Sequence, residues 1–226
     1  MGMTDRRMGQ AADPHAGGVV LSAGPAPEEA AATLVLVHGR GASAEDILSL
    51  HRVLGIMNLA AVAPEAAGNT WYPLSFLAPM ESNEPYLGSA LRRLGTIVDD
   101  LAARGVARER IALLGFSQGA CLSLEFVARN PRRYGAVMGI CGGLIGPPGT
   151  AREYGGSLEG TPVFLGASEP DPHIPIERVL ETETVLRGMG AEVELRRYPG
   201  MPHAINGDEV DVCRGMLAAL ASRAEG

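Results

Sequence analysis

The stretch Ile111–Cys121, IALLGFSQGAC, leaves few options for the chain around it. An apolar run breaks into Gly115, Phe116, Ser117, Gln118 and Gly119 and then resumes. The pattern predicts a buried strand, one very sharp turn and a helix, with Ser117 at the apex. Gly115 and Gly119 stand two residues before and two after that serine. Side chains there would collide where strand folds back into helix, so both positions favour a residue without a Cβ. A tight strand-to-helix connection uses Gly and Ser for structural reasons too, so the G-x-S-x-G pattern does not assign a role by itself.

The rest of the chain repeats the same alternation. Strands are expected at 19–21, 33–37, 59–63, 110–116, 136–141, 162–167 and 193–198, most of them continuous apolar runs and not alternating patterns. Continuous apolar strands are covered on both faces. Between them lie helices at 44–54, 84–104, 118–129, 175–189 and 208–223. Ser43 and Asp46 resemble a capping box for the first, and Leu87, Leu91, Leu94, Val98 and Leu101 hold helical spacing in the second. Alternating strands and helices of this kind define an α/β fold with a doubly wound, mostly parallel sheet. Ligands of such sheets bind at the carboxyl ends of the strands. The loops beginning at His38, Pro64, Ser117, Gly142, Ser168 and Pro199 therefore share one edge.

A chain of 226 residues with 46% hydrophobic content fits one domain with a sizeable core. Residues 1–17 are polar and small and read as a mobile tail before a domain spanning 18–226. All basic residues are arginine, and the net charge is −7, which argues against a nucleic-acid partner. The tail lacks the apolar segment of a secretory signal, and no run approaches membrane-spanning length. Cys121, Cys141 and Cys213 are odd in number, distant from one another and set in apolar segments. They read as buried free thiols, and with them a cytoplasmic location is expected.

A serine hydroxyl is a weak nucleophile and needs a base, itself oriented by a third group. Among the five histidines, His15 falls in the tail and His51 on an outer helix face. His38 ends a strand and suits fixing its loop, and His173 suits capping or packing before a helix. His203 sits in the loop after the last strand, at the edge Ser117 occupies, and is the preferred base. Glu169 and Asp171 both lie in the loop after the strand ending at Ala167. The Asp171-Pro172-His173-Ile174-Pro175 segment presents Asp171 rigidly between two prolines, and Glu169 stays open as the alternative. Glu65 precedes the serine in chain order and would be an unusual third member. Two backbone N–H groups are needed for a developing oxyanion. Gln118 supplies one, and the His38-Gly39-Arg40-Gly41 turn supplies the other, from Arg40. The Arg40 side chain either lines the pocket, attracting a carboxylate or phosphate, or reaches solvent.

The segments LVLVHGRGAS (34–43), GNTWYPLSF (68–76), LLGFSQGA (113–120), DPHIP (171–175) and YPGMPHAI (198–205) together resemble the phospholipase/carboxylesterase branch of the α/β-hydrolases, the small lidless esterases related to acyl-protein thioesterases. The resemblance implies Ser117 as nucleophile, Asp171 and His203 as its partners, and the Arg40 and Gln118 amides as the oxyanion hole. It further implies hydrolysis of carboxylic esters, no metal or organic cofactor, and a homodimer. HGRG stands where the thioesterases have HGLG, so a lipidated-protein substrate does not carry over. The loop between about 142 and 161 is too short for a cap domain, so an open site is expected. Trp71, Tyr72, Phe76 and Met80, with Leu144 and Ile174, are expected to form an apolar wall. Such a pocket suits short to medium acyl esters. Lactone or thioester hydrolysis is open to the same residues, and a catalytically silent ligand-binding domain is the alternative of another class.

Overall fold

In the computed structural model, residues 13–223 are described. A seven-stranded sheet runs β1 (Val20–Ala23), β3 (Leu59–Pro64), β2 (Ala32–Val37), β4 (Ile111–Phe116), β5 (Ala136–Ile140), β6 (Pro162–Glu169), β7 (Glu192–Pro199). All neighbours are parallel except β1, which pairs antiparallel with β3. Five helices cover it: α1 (Ala44–Leu54), α2 (Tyr86–Ala103), α3 (Gln118–Arg129), α4 (Ile176–Gly188) and α5 (Gly207–Arg223). The expected elements are all present, with boundaries displaced by at most three residues.

The central strands read as unbroken apolar runs because both of their faces are buried. In β2, Val35 and Val37 enter the cluster built with α2, α3 and α4, while Leu34 and Leu36 enter the one built with α1 and α5. β4 divides in the same way, Ile111 and Leu113 against Ala112 and Leu114. Each strand thus feeds two cores, which fixes its register, since a slip by one residue would exchange the two sets of side chains. β7 is an edge strand and is less covered: Val193 is buried, whereas Glu192, Glu194 and Arg197 are exposed, and Arg196 and Tyr198 are half-buried against Asp208 of α5.

Residues 13–17 depart from the expected mobile tail. They form a turn whose His15 is 1% exposed, with Nε2 bonded to the Trp71 carbonyl at 2.9 Å and Nδ1 accepting from the Ala67 amide at 3.1 Å. The Asp13 carboxylate takes a hydrogen bond from Ser89 on α2. The first twelve residues lie outside the described part of the chain. Residues 141–161, between β5 and β6, contain no helix or strand, consistent with the absence of a cap domain.

Candidate active site

Ser117 lies at the carboxyl end of β4, the central strand, with φ 55° and ψ −118°. This conformation costs a non-glycine residue on the order of 1–3 kcal/mol, so the surroundings must hold it. The Ser117 amide donates to the Ile140 carbonyl at 2.9 Å, and its carbonyl accepts from the Cys121 amide at 3.0 Å, opening α3. The flanking glycines are needed for different reasons. A Cβ on Gly115 would overlap the Gly119 carbonyl, the collision expected within the turn. A Cβ on Gly119 would instead overlap the Val37 and His38 carbonyls at the end of β2. The elbow is therefore wedged against the neighbouring strand.

The Ser117 hydroxyl is 2.8 Å from His203 Nε2, and His203 Nδ1 is 2.6 Å from Asp171 Oδ2. The other carboxylate oxygen, Oδ1, accepts from the His173 amide at 2.8 Å and the Ile174 amide at 3.0 Å. Burial works against ionising Asp171, but the His203 bond and these two amides outweigh it and hold the carboxyl below its usual range. Glu169 points elsewhere and forms a bidentate pair with Arg197 on β7, at 2.6 and 2.8 Å. Geometry thus separates the two acids that the sequence left open.

The remaining histidines have other partners. His38 is fully buried, its Nδ1 on the Gly39 carbonyl and its Nε2 accepting from the Ala66 amide, so it holds the turn that carries Arg40. His51 is bonded to the Leu59 carbonyl. His173 is exposed and stands edge-on to His203 with ring centroids 5.0 Å apart, a placement no sequence spacing announces. Glu65 accepts from the Ala44 amide and from Asn69, tying two loops together.

A cavity of about 470 Å³ opens beside Ser117. Tyr72, Phe76 and Ile174 line it as expected, joined by Leu74, Phe116 and Cys121. Trp71 and Leu144 do not, which corrects the expected wall. The Trp71 ring is fully buried, donates through Nε1 to the His38 carbonyl, and packs against the His15 and His38 rings at 5.4 and 5.0 Å. Its ring faces the loop core because the indole N–H finds its partner there. Leu144 is wholly in the core, its backbone held by Thr182 and Arg178. Met80 receives Arg129 on its sulfur and is not part of the wall.

Two side chains bind backbone in ways the sequence did not announce. Gln118 accepts from the Trp71 amide at 2.9 Å and donates to the Tyr72 carbonyl at 2.8 Å. Arg40 donates to the Pro73 and Leu74 carbonyls at 2.8 and 2.6 Å, with its guanidinium 6.0 Å above the Tyr72 ring. The cavity wall is thus held by the side chains of the two residues whose amides face the elbow in the sequence reading.

Among the described residues, one group of metal-ligating side chains converges: Cys141, Asp171 and His203, with donor atoms within 4.8 Å of one another. Asp171 and His203 already bond each other, and the Cys141 thiol lies 3.4 Å from the Ser168 hydroxyl, which donates to the Pro202 carbonyl. That chain braces the His203 loop. Burial raises the Cys141 thiol and pushes Cys121 up to about 12, so neither offers a thiolate at neutral pH.

A doubly wound sheet with a serine elbow at its carboxyl edge, bonded in series to a histidine and an aspartate, defines the class of α/β-hydrolases. The chain belongs to the phospholipase/carboxylesterase family, which it matches over residues 22–220. It is accordingly a carboxylic ester hydrolase. It is similar to the solved phospholipase/carboxylesterase of Dyadobacter fermentans, with 43% identity and a TM-score of 0.86, over 89% of this chain and 96% of that one. A probable carboxylesterase of Arabidopsis thaliana, SOBER1-like, is 25% identical over 83% of this chain and 78% of its own length. An acyl-protein thioesterase 1 of Gibberella zeae is 30% identical over 50% of this chain, the match spanning about half of that relative, 49%.

Proposed function

We propose that the chain hydrolyses carboxylic esters of short to medium acyl length through an acyl-enzyme on Ser117. The observation that carries this reading is the hydrogen-bonded series from the Ser117 hydroxyl to His203 to Asp171, at 2.8 and 2.6 Å. As the Ser117 oxygen attacks the ester carbonyl, its proton passes to His203 Nε2. Asp171 holds the Nδ1–H tautomer and stabilises the imidazolium. The carbonyl oxygen becomes an oxyanion, taken by the backbone N–H groups of Gln118 and Arg40, each worth about 3 kcal/mol. Collapse expels the alcohol, which takes the proton from His203. Water, activated by the same imidazole, then attacks the acyl-enzyme and releases the carboxylic acid and free Ser117.

The cavity of about 470 Å³, walled by Phe76, Leu74 and Ile174, supports a short to medium acyl chain. Thioesters react by the same steps, and an acyl-chain series of esters and thioesters measured side by side ranks the two. Three buried free thiols support a reducing cytoplasm as the location. The reading is tested with a fluorophosphonate probe and p-nitrophenyl esters. Wild type is expected to label stoichiometrically and show burst release, and Ser117→Ala to do neither. Undiminished turnover in Ser117→Ala refutes the acyl-enzyme. Absence of labelling in wild type leaves a silent binding domain instead.

A further inference from the structure

We propose that the cavity beside Ser117 takes esters whose carbon chain ends in a carboxylate, recognised by Arg40 and His173; this rests on the esterase reading above. The chain carries a net charge of −7, yet no Asp or Glu lines the cavity, while Arg40, His173 and His203 do. The two acids that precede His173 are accounted for. Asp171 sits behind His203 with its side chain 1% exposed, and Glu169 is paired with Arg197.

Most arginines of the described residues pair with carboxylates, while a few, such as Arg110 and Arg133, bind backbone carbonyls as Arg40 does. Ten of them form ion pairs among the described residues, and Arg40 is not one of these. Its side chain is exposed and spends two N–H groups on the Pro73 and Leu74 carbonyls. Those bonds anchor the guanidinium on the cavity wall. A guanidinium has five N–H donors in a rigid fork, so enough remain to bind a carboxylate through two of them. His173 stands at the cavity beside His203, and the amino end of α3 adds positive potential at Ser117. Phe76, Leu74 and Ile174 supply an apolar path for the methylenes between the two carbonyl groups. The chemistry that fits is a half-ester of a short dicarboxylic acid, with the ester at Ser117 and the free carboxylate on Arg40.

The test compares monomethyl adipate with methyl hexanoate, which matches it except that a methyl group replaces the carboxylate. Methanol release gives kcat/KM for each. The half-ester is expected to be preferred by roughly tenfold or more, the size of one charge-assisted pair. The ratio is expected to fall several-fold in Arg40→Gln, less in His173→Gln, and to fall in wild type when salt is raised to about 0.5 M. Taking the ratio removes any general loss of activity from loosening the Pro73–Leu74 wall. Should Arg40→Gln be inactive on both esters, the salt dependence of wild type decides. Equal or better turnover of methyl hexanoate, or a ratio unmoved by salt, overturns the proposal. If wild type cleaves neither ester and does not label with fluorophosphonate, the esterase reading itself has failed.

Discussion

Glu209→Gln is expected to stabilise the protein above neutral pH and to change little below about pH 4. Glu209 lies in the first turn of α5 and is fully buried. One oxygen accepts from the Asn206 amide at 2.9 Å, and Asn206 Oδ1 accepts from the Glu209 amide at 3.0 Å, a reciprocal cap. The other oxygen lies over Gly166 of β6 and has no hydrogen-bond partner among the described residues. Burial pushes this carboxyl from 4.5 up to about 7, against the Asn206 amide, which favours the charged form.

A carboxyl raised in the folded state binds its proton more tightly there than in the unfolded chain. Between about pH 4.5 and 7 the folded state therefore holds more protons, and stability from this group falls as pH rises through that window. Raising the carboxyl from 4.5 to about 7 corresponds to about 3 kcal/mol at full ionisation. Glutamine keeps the carbonyl that accepts from Asn206 and carries no charge, so it removes the penalty. Urea unfolding of both proteins from pH 5 to 8.5 measures the difference directly, and effects common to both, such as titration of the depressed Asp171, cancel. The expected difference is about 1 kcal/mol or less at pH 5 and rises to about 3 kcal/mol in favour of the variant at pH 8, or several degrees in Tm. A difference independent of pH, or one that turns against the variant as pH rises, refutes the reasoning.

Asp171→Asn is expected to lower kcat by about 10³–10⁴ with fluorophosphonate labelling slowed in parallel, because the amide imposes the wrong imidazole tautomer. Glu169→Ala, which removes an ion pair on the exposed edge strand, is expected to leave kcat/KM within about twofold of wild type; a loss like that of Asp171→Asn would reverse the assignment. Gln118→Ala leaves the buried Trp71 amide and Tyr72 carbonyl without partners, so unfolding experiments should read a loss of about 2–4 kcal/mol, with KM raised as the wall loosens. Gly119→Ala forces a Cβ into the Val37 and His38 carbonyls, and circular dichroism of the purified variant should show loss of the native fold or of its cooperative transition.

The strands and helices were legible because each is set by local pattern. Continuous apolar runs mark strands buried on both faces, and the 3.6-residue spacing of Leu87, Leu94, Val98 and Leu101 marks a helix buried on one. That Ser117, His203 and an acid from the 169–171 segment meet could be anticipated because chain order and topology bring their loops to one edge, whereas which acid bonds His203 depends on side-chain direction and stays open in the sequence. Trp71 was misplaced because an aromatic residue in a loop carries no period. Its direction depends on the His38 carbonyl, 33 positions away. The same holds for His15, whose ring finds the Trp71 carbonyl 56 positions on. Long-range bonds from a side chain to a loop backbone leave no spacing to read.

Those unread bonds connect the proposed oxyanion donors to the cavity wall. The two residues read as oxyanion donors through their backbones, Arg40 and Gln118, use their side chains to hold four consecutive loop residues, Trp71 to Leu74, the last three of which line the cavity. The link runs in both directions. A ligand that pushes on Leu74 or Tyr72 acts on the turn carrying the Arg40 amide, and the turn is itself held from behind by His38 and Trp71. Deletion of the Arg40 side chain should therefore change kcat as well as KM, because it frees the wall and the donor together. In a site without a cap domain, such a coupling would let binding energy at the wall be used to align the amide proposed to meet the oxyanion.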